Sequence, residues 1–174
     1  MSKPNMIDRF IEFLYLKIPN NLAIYDQLTH VFNSNWLFRL GYKKYRNKGC
    51  YITMIDLNNF KKINDIGGHI LGNAILVTIA GQLCKLYNID NTVDVCRYGG
   101  DEFLIFSSID ISSFLEADKT NIISYGVCYK GKNMSIDDTI CKADGNMYKY
   151  KKRCKSTSSN DILDEIKSIV DVAI

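Results

Sequence analysis

A chain of 174 residues with 47% hydrophobic content is long enough to bury one sizeable core and too short for two ordinary domains, so a single globular domain is expected. Its 22 basic and 19 acidic residues leave a formal charge of +3, too mild to require a nucleic-acid or membrane partner and compatible with a small phosphorylated substrate. The cysteines, Cys50, Cys84, Cys96, Cys128, Cys141 and Cys154, fall singly with no C-x-x-C pair, which speaks against a zinc knuckle or a disulfide framework and for reduced, buried packing residues.

Ile7, Phe10, Ile11, Leu14 and Ile18 recur at helical spacing, and Pro19-Asn20-Asn21 ends the amphipathic helix they predict. Asp8, Arg9, Glu12 and Lys17 interrupt it, so it cannot span a bilayer; with no signal-peptide pattern, a cytoplasmic location is expected. Its ordinary role is packing on the domain or on its own copy. A second helix is predicted from the N-cap residues Asn33-Ser34-Asn35, turning Trp36, Leu37, Leu40 and Tyr45 inward. Cys50 to Ile55 reads as a central strand buried on both faces and ending at Asp56, where a carboxylate points into the crevice that such folds use for ligands. Beside it, Lys61, Lys62 and Asn64 suit phosphate and base contacts, although alone they would read as a solvated helix face.

Gly67-Gly68-His69 predicts a turn, with His69 stabilising it, and Leu71 to Leu86 a helix burying Ile75, Leu76, Ile79, Leu83 and Leu86. Val93 and Val95 before Gly99-Gly100, and Phe103 to Phe106 after, predict a β-hairpin with a tight Gly-Gly turn and Asp101 and Glu102 at its tip. Adjacent carboxylates repel, and the simplest reason to place them there is a cation such as Mg²⁺. A solvated acidic turn is the common alternative; Asp56 at the end of another strand is what distinguishes this one. Ser107 to Lys119 is polar with one small helix at most, Asn121 to Tyr129 reads as a strand, and Ser135-Ile136-Asp137-Asp138 resembles a capping box for a helix running to about Arg153. Lys149, Lys151, Lys152, Arg153 and Lys155 crowd its end, where bases complement the helix dipole. A polar linker, Ser156 to Asn160, and an amphipathic helix through Ile162, Leu163, Ile166, Ile169, Val170 and Ala173 close a chain divided as 1–24, 25–155 and 156–174.

Asp56-Leu57-Asn58-Asn59-Phe60-Lys61-Lys62-Ile63-Asn64-Asp65, then Gly68-His69 and Gly72, then Arg97-Tyr98-Gly99-Gly100-Asp101-Glu102-Phe103 resemble the motifs of the GGDEF family of nucleotide cyclases. Tyr25-Asp26-Gln27-Leu28-Thr29 with Phe32-Asn33 is similar to the family's opening D-x-L-T…N motif. Ser124-Tyr125-Gly126-Val127 resembles its S-I-G-V strand, and Ala143-Asp144, Met147-Tyr148 and Lys151 its closing helix. The resemblance covers roughly Tyr25 to Lys155. It implies an α+β, palm-like (ferredoxin-like) fold, a mixed, mainly antiparallel sheet flanked by helices with the GGDEF hairpin at the active site. It also implies joining of two nucleoside triphosphates with release of pyrophosphate. By the same resemblance Asp56, the Leu57 carbonyl, Asp101 and Glu102 would hold Mg²⁺ or Mn²⁺, with Asp101, Glu102 and Lys61 catalytic. Phe60, Asn64, Asn73, Lys151 and Lys155 would bind nucleotide, Lys155 standing where the family commonly has Arg.

Three departures shape the expectation. Asn73 stands where guanine users carry Asp; an amide offers one acceptor and one donor, which complements adenine. Asp90-Asn91-Thr92-Val93 occupies the place of the R-x-x-D product-inhibition motif, so feedback there is not expected. The segment between the hairpin and Ser124 is short and no sensory domain precedes the core, traits similar to the compact minimal CRISPR polymerase branch of the same superfamily. The expected activity is therefore a cyclic dinucleotide synthase in antiphage signalling, accepting ATP and a candidate for preferring it. One alternative is a diguanylate cyclase using GTP; another is an inactive nucleotide-binding or interaction module, against which the intact carboxylates argue. The expected partners are ATP or GTP, a homodimer mate, stable or transient, and a downstream receptor of the product, with neither membrane nor direct nucleic-acid binding.

Overall fold

The β-forming run from Cys50 builds the strand on which the sheet is assembled. In the computed structural model, which describes residues 24–117 and 121–155, that strand is β2 (Cys50–Leu57), flanked on both sides by antiparallel neighbours. The expected N-terminal helix and the C-terminal linker and helix lie outside the described residues. The other strands are β1 (Phe32–Asn33), β3 (Asp94–Arg97), β4 (Glu102–Ser107) and β5 (Ile123–Lys130), giving one mixed five-stranded sheet in the order β1-β3-β4-β2-β5. Only the β1–β3 pair is parallel among them. The α+β sheet expected from the motifs is the one observed.

Helices cover both faces. On one, α2 (Phe60–Cys84) and α3 (Ser112–Glu116) pack Ile75, Ile79, Leu83 and Leu115 against Ile55, Leu57, Phe103 and Ile105. On the other, α1 (residues 34–45) and α4 (Ile136–Lys155) pack Trp36, Leu37, Ile140 and Met147 against Ile52, Met54, Leu104 and Phe106. At about 25 cal/mol per Å² of apolar surface removed from water, these two layers supply the main driving force of folding. The Phe60–Asn88 stretch is long and apolar enough to cross a bilayer, but its Ile63, Leu76, Ile79 and Leu86 are core residues here.

Local chemistry sets the joints. The Asn33 side chain accepts the Trp36 N–H, capping α1 as its sequence predicts. A π turn over Leu37–Gly41 then widens the helix, which shifts its phase and leaves Leu40 46% exposed, contrary to the inward position expected for it. Asn59, with φ of 56°, turns the chain from β2 into α2. α2 starts at Phe60 rather than Leu71, but it consists of two helices that meet at Gly68, whose non-helical φ of 67° only glycine adopts cheaply; the break falls within the Gly67-Gly68-His69 turn that the sequence predicts. Neither Gly99 nor Gly100 has positive φ, so the hairpin is closed by the wider Tyr98–Asp101 loop, with the Tyr98 and Gly99 N–H groups donating to the Glu102 carbonyl. Cys50 and Cys96 are buried as expected. Cys84 and Cys141 are exposed, because they fall on the outer faces of α2 and α4.

Candidate active site

Three carboxylates meet at one end of the sheet. Asp56, the penultimate residue of β2, lies directly opposite Glu102 in the β2–β4 register, and the Leu57 N–H donates to the Asp101 carbonyl at 3.2 Å, which ties the hairpin loop to the end of β2. On the other side of Asp56, β5 contributes Ser124, whose hydroxyl donates to Asn58 Oδ1 at 2.7 Å, while Asn58 Nδ2 donates to the Asn121 carbonyl. Lys151, from the last turns of α4, reaches over to pair with Asp56. Burial, and then the negative charge of Asp56, raises the Asp101 carboxyl above its ordinary value. Burial, then Asp101, Asp56 and Asp144, does the same to Glu102.

The hairpin tip is braced from below. Arg97 donates Nε and Nη2 to the Gly100 carbonyl, at 3.1 and 2.6 Å, and Nη1 to Asp26 Oδ1 at 3.0 Å. The same Asp26 oxygen accepts the Thr29 N–H and hydroxyl. Burial alone would raise the Asp26 pKa, but these bonds and the Arg97 charge leave it lowered. The D-x-L-T motif thus works as an anchor for the loop that carries Asp101, and Asp144 is a further charge facing Glu102. Sequence reasoning listed Asp26, Arg97 and Asp144 within motifs without giving them these contacts, since a residue distant in sequence shows its partner only once the sheet brings them together.

A second group forms along the start of α2. A Cβ on Gly72 would lie 2.1 Å from Asn64 Oδ1 and 3.2 Å from Phe60 Cζ, so the absence of a side chain there is what lets Phe60 and Asn64 fold back on the helix. Asn64 Oδ1 is buried with no hydrogen-bond partner among the described residues. Asn73 follows Gly72 on the exposed side, and Lys61 is exposed on the first turn of α2. Lys155 is described by its backbone alone, at the end of α4.

No group of three or more His, Cys, Asp or Glu side chains forms a ready metal cluster among the described residues. The donor set nevertheless fits a hard divalent ion. It consists of oxygen ligands, and two of its carboxylates, Asp101 and Glu102, are destabilised in their charged form by burial and by neighbouring carboxylates, Asp56 among them, a cost that a cation removes.

The profile of the family described as "Diguanylate cyclase, GGDEF domain" matches residues 23–120. The diguanylate cyclase DgcP of Escherichia coli K12 is 31% identical over 160 residues, covering 80% of this chain and 44% of that protein. The chain thus spans less than half the length of this curated relative. Among solved structures, the diguanylate cyclase SiaD of Pseudomonas aeruginosa, in complex with its activator SiaC, aligns with a TM-score of 0.64 at 22% identity, covering 84% of this chain and 65% of that one. The GGDEF domain of DgcB from Caulobacter crescentus, in complex with c-di-GMP, aligns with a TM-score of 0.63 at 20% identity, covering 78% and 91%. The solved structures share the fold, and with the profile spanning more than half of its residues the chain belongs to the GGDEF family.

Proposed function

We propose that the chain is a nucleotidyltransferase that condenses two nucleoside triphosphates into a cyclic dinucleotide, each 3′-oxygen attacking the α-phosphate of the other nucleotide and releasing pyrophosphate. The observation that carries this reading is the meeting of Asp56, Asp101 and Glu102 at one strand end beside Lys151. Mg²⁺ or Mn²⁺ held by Asp56, the Leu57 carbonyl, Asp101 and Glu102 would lower the pKa of the attacking hydroxyl and neutralise the leaving pyrophosphate. Glu102, beside the ion, would accept the proton from that hydroxyl. Lys61, Lys151 and Lys155 bring positive charge to the phosphates, Lys151 by exchanging Asp56 for an incoming phosphate oxygen.

Phe60 and Asn64 would border the base, the Asn64 amide turning out of the Gly72 gap, where its Oδ1 is buried without a partner, to accept from an amino or imino group of the base. The curated diguanylate cyclases among the relatives support GTP as substrate and cyclic di-GMP as product. One observation favours a second reading, in which ATP is accepted: exposed Asn73 offers an amide donor and acceptor to a base edge, where two guanine donors would need a carboxylate. One site holds one triphosphate, so cyclisation takes two copies face to face, and the product needs a receptor. The reaction is assigned to the cytoplasm, where its substrates are. The antiphage role expected from Asn73, the missing R-x-x-D motif and the short segment after the hairpin has no support among the relatives and forms no part of the proposal.

The test is incubation of the purified protein with Mg²⁺ and ATP, GTP or both, with products identified by mass spectrometry and an Asp101→Ala control. Cyclic di-GMP alone establishes the first reading, and an adenine-containing product the second. No cyclic product from any mixture refutes the activity and leaves a nucleotide-binding module.

A further inference from the structure

Lys151 sits at the end of a packed stripe. Ile140, Ala143, Met147 and Lys151 follow one another on α4 at steps of three, four and four, so they share one face of the helix, and the first three are buried against the sheet. Along β2 the facing side carries Ile52, Met54 and then Asp56, two residues apart. The ammonium at the end of one apolar row therefore meets the carboxylate at the end of the other. Their side chains are 25% and 16% exposed. Among the described residues, Asp56 is the only one of the three clustered carboxylates that takes part in an ion pair.

The helix is fixed where it carries this lysine. A Cβ on Gly126 would lie 2.1 Å from the Met147 nitrogen and 2.2 Å from the Ala143 carbonyl oxygen, so α4 rests on β5 backbone to backbone. Asn146 Nδ2 donates to the Val127 carbonyl at 3.0 Å and ties the same turn to the same strand. Release of Asp56 is then a motion of the Lys151 side chain, whose flexible stem lets the ammonium swing while the helix stays in place. An ammonium on a carboxylate repels a divalent ion approaching the same group.

We propose that Lys151 is a resident counter-ion that couples the binding of ion and triphosphate. Paired with Asp56, it opposes a divalent ion that arrives alone; drawn onto phosphate oxygens, it leaves Asp56 open. The inference rests on the reading of Asp56, Asp101 and Glu102 as ion ligands and adds to it an order: the site takes the ion well only with the nucleotide. By linkage the effect is reciprocal, so the ion strengthens triphosphate binding by the same factor.

Binding of Mn²⁺ to the full chain without nucleotide, read from the electron paramagnetic resonance of the free ion, tests this in native protein, Lys151→Met and Lys152→Met. Lys152 is the control for charge alone, because its ammonium lies one residue along and 4.5 Å over the Tyr148 ring. Lys151→Met should bind the ion about tenfold more tightly than the native chain, and Lys152→Met within about twofold of it. Lys151→Gln, which keeps a polar chain of similar length, should shift affinity in the same direction. A second measurement follows the affinity for the α,β-methylene analogue of GTP in chelator and in Mn²⁺. The factor by which Mn²⁺ strengthens it should fall about tenfold in Lys151→Met. Unchanged ion affinity in Lys151→Met overturns the proposal, and so does equal tightening in Lys152→Met, which reduces the effect to charge at the helix end. If native protein and variants all fail to bind Mn²⁺ at millimolar concentration, the ion site of the proposed function falls as well, a result distinct from a native chain that binds the ion and a variant that binds it no better.

Discussion

Glu102→Gln should stabilise the metal-free protein while disabling it. Glu102 sits directly across from Asp56 in the β2–β4 ladder and next to Asp101 in sequence, so its charge is opposed from two sides. Like charges directly opposite across strands cost about 0.2–1 kcal/mol at a solvated surface, and Asp101 adds a second repulsion of that order. Lys151 offsets part of this by pairing with Asp56. A net gain of about 1 kcal/mol corresponds to a rise of about 2–4 °C in melting temperature for a chain of this size. The assay is thermal unfolding in chelator and again in Mg²⁺. In chelator the variant should melt above the native protein; with Mg²⁺ at one hundred times its dissociation constant the native protein should gain about 2.7 kcal/mol and the variant less, reversing the order. An unchanged or lower melting temperature for the variant in chelator, or a native protein indifferent to Mg²⁺, would refute the idea that this cluster is held together against its own repulsion in readiness for a cation.

The remaining expectations concern the frame. Burial would raise the Asp90 pKa, but bonds from the Thr92 and Ser108 N–H and hydroxyl groups bring it down to about 2. Set against an ordinary 3.8, this is about 2 kcal/mol of stability, present above that value and lost as the pH falls through it towards 2. Asp90→Asn should lose a similar amount at neutral pH and flatten the acid limb of a urea-midpoint against pH curve. Gly126→Ala puts a Cβ 2.1 Å from the Met147 nitrogen and 2.2 Å from the Ala143 carbonyl, both backbone, so α4 must lift from β5. A loss of about 3 kcal/mol or more is expected in chemical denaturation. Lys130 is fully buried and its ammonium donates to the carbonyls of Arg46, Lys48 and Gly131. Lys130→Met should cost about 3 kcal/mol, read by the same method, since it strands all three acceptors.

Most of the fold was readable because its elements follow from local rules. β2 could be read from a run of β-formers, α1 from Asn33, and the core face of α2 from the spacing of Ile75, Leu76, Ile79 and Leu83, all of which are buried. The errors sit where a local rule met a non-local constraint. Leu40 has the spacing of a buried residue, but the π turn before it rotates it outward. Leu71 reads as the start of the helix after the Gly68 break, but the segment before the break is helical too, because Phe60 and Ile63 have core to pack on. Gly99-Gly100 reads as a tight turn, and is a wider loop because Arg97 holds the Gly100 carbonyl from the side of Asp26.

The site was legible to a different depth at each residue. Asp101 and Glu102 announce themselves by adjacency, and Asp56 by ending a strand, but that Asp56 and Glu102 are cross-strand neighbours depends on register, which no spacing in the sequence specifies. Asn64 looked like one polar residue on a solvated helix face. It is instead turned onto its own helix through the gap at Gly72, with Oδ1 hidden and unpartnered. A buried acceptor left unmatched costs about 1–3 kcal/mol, a cost that a stable fold bears only where another requirement keeps the group in place. The same logic applies to the carboxylates, whose mutual repulsion the fold maintains with Arg97, Asp26 and Lys151 rather than relieving. Two groups kept at a cost to stability, one assigned by the proposed function to a base edge and one to a cation with phosphates, lie at the two ends of the short Asp56–Asn64 stretch. A triphosphate is the ligand that would relieve both at once, which is why the unfavourable residues argue more strongly for the proposed chemistry than the well-packed ones do.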